Sequence, residues 1–218
     1  MSNSLNFSLK MVNEDKVKKD ILMAIQKHMK KNFNKSTDKI KMEVKNQVYN
    51  AILQSSTMDS LQSGNLREEF GLESVNPDGI ASAVSNIVKL KVESPRISGD
   101  KIVAKFTIEA APSDLQTVTS GSEDGLQETE KGQSLPWLKW LLTLGDAVII
   151  RSFEVKAGFP KRSRTGDKIM VKGRGWRVPP EHSGSEDNNF ITRAIDSVLP
   201  QLQNDLTQLF ISALGGRG

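Results

Sequence analysis

Apolar residues recur at three- and four-residue steps from about Asp15 to Met58, and this helical periodicity constrains the fold more than any other feature of the chain. The stretch 32–38, NFNKSTD, carries Asn and Ser side chains that compete for backbone hydrogen bonds. The pattern therefore predicts two amphipathic helices or one interrupted helix, with a new start near Asp38. The expected core-facing stripe comprises Val17, Ile21, Ala24, Ile25, His28 and Met29, then Ile40, Val44, Val48, Tyr49, Ile52 and Leu53.

Alternating and turn-rich segments in the middle of the chain indicate antiparallel β-hairpins. Two are predicted, one from 84–93 and 101–110 and the other from 147–157 and 168–178, with Gly173 and Gly175 bending the last strand. The closing pattern is helical over 188–214, capped by Asn188 or Asp187 and kinked at Pro200. The sequence thus predicts an α+β fold, an antiparallel sheet of two hairpins packed by long N-terminal and C-terminal helices.

We expect one domain overall, with an N-terminal helical region at 1–62 and an α+β core at 63–218. Segment 111–134 is acidic and almost free of large apolar groups, so it is expected to be a mobile loop with little to bury. A short helix is expected over 63–72, capped by Ser63 and ended by Gly71. Another should begin at Ser134 and end at Gly145.

Residues suited to catalysis or metal binding are scarce, so we expect neither an enzyme nor a cofactor. The chain has no cysteine and two histidines, which removes thiolate zinc sites and most nucleophile–base arrangements. His28 lies on the predicted apolar stripe and is expected to pack there, and His182 lies in an exposed turn. Neither a phosphate-binding loop nor a calcium loop is present in the sequence. No catalytic and no metal-binding residue is predicted.

Charge alternates in sign along the chain although the net charge is only +4. Residues 1–50 hold 11 basic and 5 acidic residues, 111–150 hold 2 and 6, and 151–178 hold 9 and 2. The respective balances of +6, −4 and +7 suit contacts between neighbouring subunits, binding of nucleic acid, or simply solvated faces. The first 19 residues lack an apolar core of signal-peptide length, and the apolar stretch 135–150 is too short to span a bilayer, so neither export nor membrane contact is expected.

Two groups of residues are candidates for an interface. The basic segment from Lys156 to Arg177 would face an acidic partner surface or passing DNA, with Trp176 and Phe159 as possible stacking surfaces. The stretch 135–144 is apolar on nearly every side, so its two tryptophans are either simple core or interface anchors. The candidate interface residues are Trp137, Trp140, Arg162, Arg164, Lys168, Arg174, Trp176 and Arg177.

Two stretches resemble the neck, or tail-completion, family of tailed bacteriophages, and the resemblance extends over roughly residues 36–214. The first is SGNLREEFGL at 63–72, similar to a Ser-Gly-x-Leu-Arg segment that precedes the first hairpin in the family. The second is GRGWRVPPEHSGSEDNNFITRAI at 173–195, which enters the last helix through an Asn-Phe-Ile-x-Arg-Ala run, here Asn189, Phe190, Ile191, Arg193 and Ala194. The chain departs from smaller members in its acidic segment 111–134 and its tryptophan-containing helix.

The resemblance implies a structural virion protein that is assembled in the host cytoplasm and forms a homo-oligomeric ring at the head–tail junction. Its partners would be the portal or adaptor proteins on one side and tail-terminator or tail-tube proteins on the other, with DNA passing through the lumen. The family has no catalytic residues to carry over. Two alternatives remain open, a tail terminator or tube-capping subunit and a basic accessory protein that binds nucleic acid.

Overall fold

The structure is a computed structural model that describes residues 13–109, 114, 117–119, 123–128 and 132–213, except for the side chains at 34–36, 123 and 209–213. The described chain is α+β, as predicted. The helices are α1 (Glu14–Leu53), α2 (Ser56–Ser63), α3 (Asn65–Phe70), α4 (Pro77–Ile87), α5 (Trp137–Thr143) and α6 (Phe190–Ala213). The strands are β1 (Lys89–Ser98), β2 (Lys101–Glu109), β3 (Gln127–Glu128), β4 (Ser134–Leu135), β5 (Phe153–Lys156) and β6 (Ile169–Lys172).

Helix α1 runs without a break for 40 residues, so the predicted interruption at 32–38 is wrong. Its start is capped by Asn13, whose side chain accepts a hydrogen bond from the amide of Lys16. Within the expected break, the hydroxyl of Thr37 donates to the carbonyl of Phe33 at 3.0 Å, which leaves the helical backbone bonds in place. Phe33 is buried, with its ring centroid 5.5 Å from that of Phe106 on β2. Packing at this point therefore outweighs the weak helix propensity of the polar residues.

The two halves of α1 present different faces to the rest of the chain. In the second half the predicted stripe is confirmed, since Ile40, Val44, Val48 and Ile52 are all buried. In the first half the prediction is wrong for Val17, Ile21, Ala24, Ile25 and His28, which are exposed. The face that packs on the β1–β2 hairpin there contains Leu22, Gln26, Met29 and Phe33.

Helices α2 and α3 form the turn that leads from α1 into the core. Gly64 separates them, and Ser63 ends α2 rather than capping α3, so the predicted cap is wrong. The hydroxyl of Ser60 supplies the bond instead, accepting from the amide of Leu66 at 3.1 Å. Gly71 ends α3 at φ 67°, a left-handed conformation that confirms the predicted terminator.

Helix α4 takes up residues that were expected to begin a strand. Asn76 caps it by accepting from the amide of Gly79 at 3.0 Å, and Pro77 occupies the first turn. The first predicted strand, 84–93, is consequently wrong in its first half, and β1 begins at Lys89 instead. It continues to Ser98 through a bulge that accommodates Pro95, which has no amide hydrogen to donate to the ladder.

The prediction that the hairpins form one antiparallel sheet is wrong. The pairs β1–β2, β3–β4 and β5–β6 are separate two-stranded sheets. The second predicted hairpin is present but shorter, and 147–152 lies outside its strands, joined to the return chain by a bridge between Ile150 and Trp176 and by the amide of Gly173, which donates to the carbonyl of Ser152 at 2.9 Å. The small β3–β4 pair lies in and beside the acidic segment 111–134, and Val118 in this segment is buried in the core. Val118 is an exception to the expectation that the segment has little to bury, and the mobility of 111–134 stays a prediction because part of the segment lies outside the described residues.

Helices α5 and α6 complete the core. Ser134 lies in β4 and does not cap α5, which Pro136 precedes without any side-chain cap. Helix α6 is capped one residue later than predicted, by Asn189, whose side-chain oxygen accepts from the amides of Ile191 and Thr192 at 3.0 and 3.1 Å. Pro200 lies inside α6, and the predicted kink stays a prediction. Among the described residues no helix is both long enough and apolar enough to cross a bilayer.

Candidate interaction surface on the basic hairpin

The basic segment folds as the β5–β6 hairpin and its connecting loop. Phe153 pairs with Lys172 and Val155 with Met170, so these four side chains share one face. The loop is held by Asp167, whose carboxylate accepts from the amide of Gly158 and whose carbonyl accepts from the amide of Phe159, both at 2.9 Å. The cations of this loop are therefore carried on a defined backbone.

Beyond β6 the chain bends, as predicted for Gly173 and Gly175. Strand β6 ends at Lys172, and Gly175 adopts φ 129°, a conformation that side chains other than glycine rarely take. The bend returns Trp176 to the core, where its backbone amide donates to the carbonyl of Ile150 at 2.8 Å. Its ring lies edge-on to Phe70, with 5.1 Å between the centroids. Trp176 is only 6% exposed and offers no stacking surface to a nucleic acid, contrary to the sequence-based expectation.

Glu69 of α3 joins two of the candidate interface residues to the body of the protein. One carboxylate oxygen is 3.2 Å from the ammonium nitrogen of Lys168, and the other accepts from the indole nitrogen of Trp176 at 3.1 Å. Lys168 also donates to the amide oxygen of Asn65 at 2.9 Å and lies 3.8 Å from Glu68. With 16% of its side chain exposed, Lys168 is largely engaged inside the subunit, and its predicted place on a contact surface stays a prediction.

Arg164 is likewise engaged within the chain. Its guanidinium donates to the carbonyl of Gly71 at 2.8 Å and to the carbonyl of Glu128 at 3.3 Å, and its Nε lies 3.5 Å from Glu73. Gly71 is the residue that ends α3, so Arg164 stabilises the helix terminus by satisfying a carbonyl there. This side chain ties α3, β3 and the basic loop together, and 31% of it stays exposed.

Three further predicted interface cations, Arg162, Arg174 and Arg177, are exposed, as is Arg164, with Lys161 and Lys172 beside them. Arg162 lies over the ring of Phe159 at 5.9 Å from the centroid, and Arg177 is 3.9 Å from the exposed Asp146. Such contacts between exposed groups contribute little to stability. The predicted interface cations thus fall into two groups. Lys168 and Arg164 bind groups of their own chain, and Arg162, Arg174 and Arg177 form the second group.

Glu154 illustrates how the hairpin compensates part of its own charge. Its pKa lies below the ordinary value because Lys156, with its ammonium 3.2 Å away, and the backbone amide of Arg174 both stabilise the carboxylate. The carboxylate is therefore ionised at neutral pH and offsets one positive charge on the strand. The remaining cations are concentrated around it.

Large apolar side chains are exposed beside these cations. Phe153 is 45% exposed, Met170 38% and Val148 53%. A groove of about 520 Å³ lies between α3 and the hairpin. Its lining includes the carboxylates of Glu68 and Glu69, the cations Arg162, Arg164 and Lys168, and the apolar side chains of Phe70, Leu135, Ile150, Phe153, Val155 and Met170. Exposed arginines around an apolar centre are the composition of a protein-binding surface. We call Val148, Phe153, Arg162, Met170, Lys172 and Arg174 the hairpin surface.

The tryptophans of α5 divide between the two interpretations that the sequence left open. Trp137 is 2% exposed, with its ring centroid 5.9 Å from that of Phe70, so it is a core residue of its own chain and not an exposed anchor. Trp140 is half-buried and packs against the same core. Its place near an interface stays a prediction.

The histidines do not form a reactive site in the described chain. His182 is 9% exposed rather than fully exposed as expected, its Nδ1 is 3.1 Å from the hydroxyl of Thr57, and burial lowers its pKa. His28 is exposed on α1, with Nε2 2.9 Å from the amide nitrogen of Asn32. Within the described ranges no three His, Asp or Glu side chains are grouped closely enough to hold a metal ion.

Sequence reasoning missed Glu69, which engages Lys168 and Trp176, and Asp167, which holds the basic loop through the amides of Gly158 and Phe159. An acidic pair on a short helix and an acidic residue in a basic loop were visible as signals, but their partners lie as far as 107 residues away in the chain. Comparison with protein-family models, with curated proteins and with solved structures finds no match for this chain.

Proposed function

We propose that this chain is a structural virion subunit of the neck, or tail-completion, class, which forms a ring at the head–tail junction of a tailed bacteriophage and lets DNA pass. The observation that carries the proposal is the hairpin surface, where exposed cations and large exposed apolar side chains lie beside a groove. A surface of that composition supports association with another protein. The resemblance of 63–72 and 173–195 to the neck family supports this particular assembly.

The partner of the hairpin surface is expected to be acidic and partly apolar. The chain itself contains such a region, since 111–150 has a charge balance of −4 against +7 for 151–178. Contact between the basic hairpin of one subunit and the acidic region of the next is a head-to-tail contact, which generates a closed ring when the rotation closes. The portal or adaptor proteins and the tail-terminator or tail-tube proteins would then bind the two faces of that ring.

A nucleic-acid-binding accessory protein is favoured by the same exposed cations, Arg162, Lys172, Arg174 and Arg177. Because Trp176 is buried, the stacking platform expected for single-strand binding is reduced to Phe159 beneath Arg162. DNA binding by the isolated chain that falls steeply with salt would favour this alternative. A tail terminator would instead be recovered at one end of tails made without heads.

The test of the proposed function is removal of the gene and return of the purified chain. Cells lacking the chain should produce DNA-filled heads and separate complete tails, and added protein should join them in the lysate. Labelled chain should appear at the head–tail junction in electron micrographs. Normal virions made without the chain, or a chain absent from the particles, would refute the proposal.

The hairpin surface is tested in the same joining assay by Arg162→Glu with Arg174→Glu. Joining should fall by at least tenfold while the thermal unfolding midpoint stays within error of wild type, because both side chains are exposed. The matched control is Lys39→Glu with Lys101→Glu, which makes the same charge change on exposed residues elsewhere. Equal loss in the control would mean that only net charge matters.

A further inference from the structure

The first half of α1 exposes an apolar stripe on the side that faces away from its own chain. Val17, Ile21 and Ile25 are 43%, 54% and 37% exposed, and Ala24 and His28 lie between and beyond them on the same side of the helix. Single exposed apolar residues are common on protein surfaces, but a run repeating every three to four residues over three turns is a helix-packing face. This stripe is separate from the hairpin surface.

A neighbouring side of α1 is already occupied. The side-chain amide of Gln26 donates to the carbonyl of Pro95 at 3.0 Å, the ammonium of Lys18 lies 2.6 Å from Asp100, and Phe33 packs on Phe106. These contacts hold the helix on the β1–β2 hairpin in one rotational setting. The stripe therefore cannot turn inward without breaking them.

The stripe has the spacing of a short coiled-coil seam. Val17, Ile21, Ala24 and His28 follow one another at steps of four, three and four residues, as core positions of a heptad do. The same register places Glu14 one core position before Val17 and Lys31 one core position after His28. The seam is thus apolar in the middle, acidic at its N-terminal end and basic at its C-terminal end.

A second copy of the same helix complements this pattern only when it runs antiparallel. In that arrangement Val17 meets His28 of the second copy, Ile21 meets Ala24, and Glu14 meets Lys31, so each end layer joins opposite charges. In a parallel pair each end layer would join like charges, Glu14 to Glu14 and Lys31 to Lys31, which is destabilising.

The flanking positions agree with the antiparallel arrangement. Asp20 and Lys27 are both exposed and occupy the same flank of the seam, seven residues apart. Across a two-fold axis the Asp20 of each copy lies beside the Lys27 of the other, which gives two further ion pairs. Hence both the end layers and one flank are self-complementary.

We infer that this face of α1, from Glu14 to Lys31, binds a second copy of the chain as an antiparallel, two-fold helix pair. The contact is independent of the ring, because a ring needs head-to-tail contacts whereas a two-fold contact pairs two subunits and closes. A single helix pair of about five turns belongs with interfaces smaller than about 1,200 Å², so the dimer is weak and reversible. Sedimentation equilibrium of the full chain, up to millimolar concentration, should show monomer and dimer in exchange.

The absence of cysteine from the chain makes cross-linking a direct test of direction. Chains carrying Val17→Cys and chains carrying His28→Cys are mixed, one of them tagged, and oxidised. The antiparallel pair brings these positions together, whereas two copies of position 17 lie about 16 Å apart along the axis, beyond the ~7 Å reach of a disulfide. We expect the mixed dimer to be the main product and Val17→Cys alone to give little. A main product from Val17→Cys alone would show parallel pairing and overturn the inference.

Charge reversal tests the flank without touching the apolar seam. Asp20→Lys alone or Lys27→Glu alone should raise the dissociation constant about tenfold, because each variant turns two ion pairs into repulsions. The double variant Asp20→Lys with Lys27→Glu restores opposite charges across the two-fold axis and should return the constant to within about threefold of wild type. Failure of that rescue, or a wild-type chain that stays monomeric at millimolar concentration, would overturn the inference.

Discussion

Replacing Glu69 by alanine removes the carboxylate that joins the basic hairpin to α3, and its cost can be worked out from the contacts. The ion pair with Lys168 at 3.2 Å is mostly buried, with 16% of each side chain exposed, so the charge-assisted bond contributes about 1.5–3 kcal/mol. The indole nitrogen of Trp176 loses its acceptor as well, which costs about 1–3 kcal/mol for a buried donor. Lys168 keeps Asn65 as a partner, so the two costs are not fully additive and we expect a loss of about 3 kcal/mol.

Urea unfolding followed by far-ultraviolet circular dichroism measures this loss without depending on tryptophan emission. The matched control is Glu68→Ala, whose carboxylate is 3.8 Å from the same ammonium and is more exposed, with an expected cost below about 1 kcal/mol. Glu69→Gln keeps an acceptor for Trp176 and loses only the charge, so its cost should lie between the two. If Glu69→Ala and Glu68→Ala destabilise the protein equally, the assignment of Glu69 as the joining residue is wrong.

Two further predictions follow from burial, and a third from the composition of segment 111–134. Trp137→Ala should lower the free energy of unfolding, measured by urea titration, by about 3–5 kcal/mol, because Trp137 is buried. Trp140→Ala should cost clearly less because Trp140 is half-buried, and equal costs for the two variants would contradict this reasoning. Because burial lowers the pKa of His182, the unfolded chain binds a proton first as the pH falls below about 6.5, so stability should decrease there. The urea midpoint of unfolding should fall less between pH 7.5 and pH 5 in His182→Gln than in wild type. If the midpoint falls equally in both proteins, other groups cause the loss of stability. Limited proteolysis of the isolated chain should cut first within 111–134, and first cuts elsewhere would count against the mobility of that segment.

Periodicity predicted which residues of α1 are apolar and repeating, but not what covers them. Val44 and Val48 are buried by the rest of the chain and Val17 and Ile21 are not, although all four follow the same spacing. Spacing records that a helix has an apolar side, whereas burial depends on whether another element lies against that side. The first half of α1 rests on the β1–β2 hairpin by a different side, and this choice depends on contacts between residues 69 or more positions apart.

Local signals were reliable where the chain itself imposes the conformation. Gly71 ends its helix as predicted, and the chain bends at Gly173 and Gly175 as predicted, although the strand stops at Lys172 instead of continuing to 178; Gly71 and Gly175 need the backbone freedom of glycine. Caps were less predictable, because several polar residues precede each helix and tertiary packing selects among them, as Asn189 shows. Within the candidate surface, Lys168 and Arg162 are indistinguishable in the sequence, and only the position of Glu69 separates a structural lysine from an exposed arginine.

Helix α1 also has a mechanical consequence that follows from its length. Forty helical residues extend for ~60 Å, more than the width expected of a domain of this size. Its second half is anchored in the core by Ile40, Val44, Val48 and Ile52, so its first half acts as a lever arm braced by one hairpin. The arm from Ile40 to Glu14 is ~39 Å long, so a tilt of ~5° at Ile40 moves its far end by ~3 Å. A small rearrangement in the buried second half of α1 would thus produce a larger displacement at its N-terminal end, and with it of any molecule bound there.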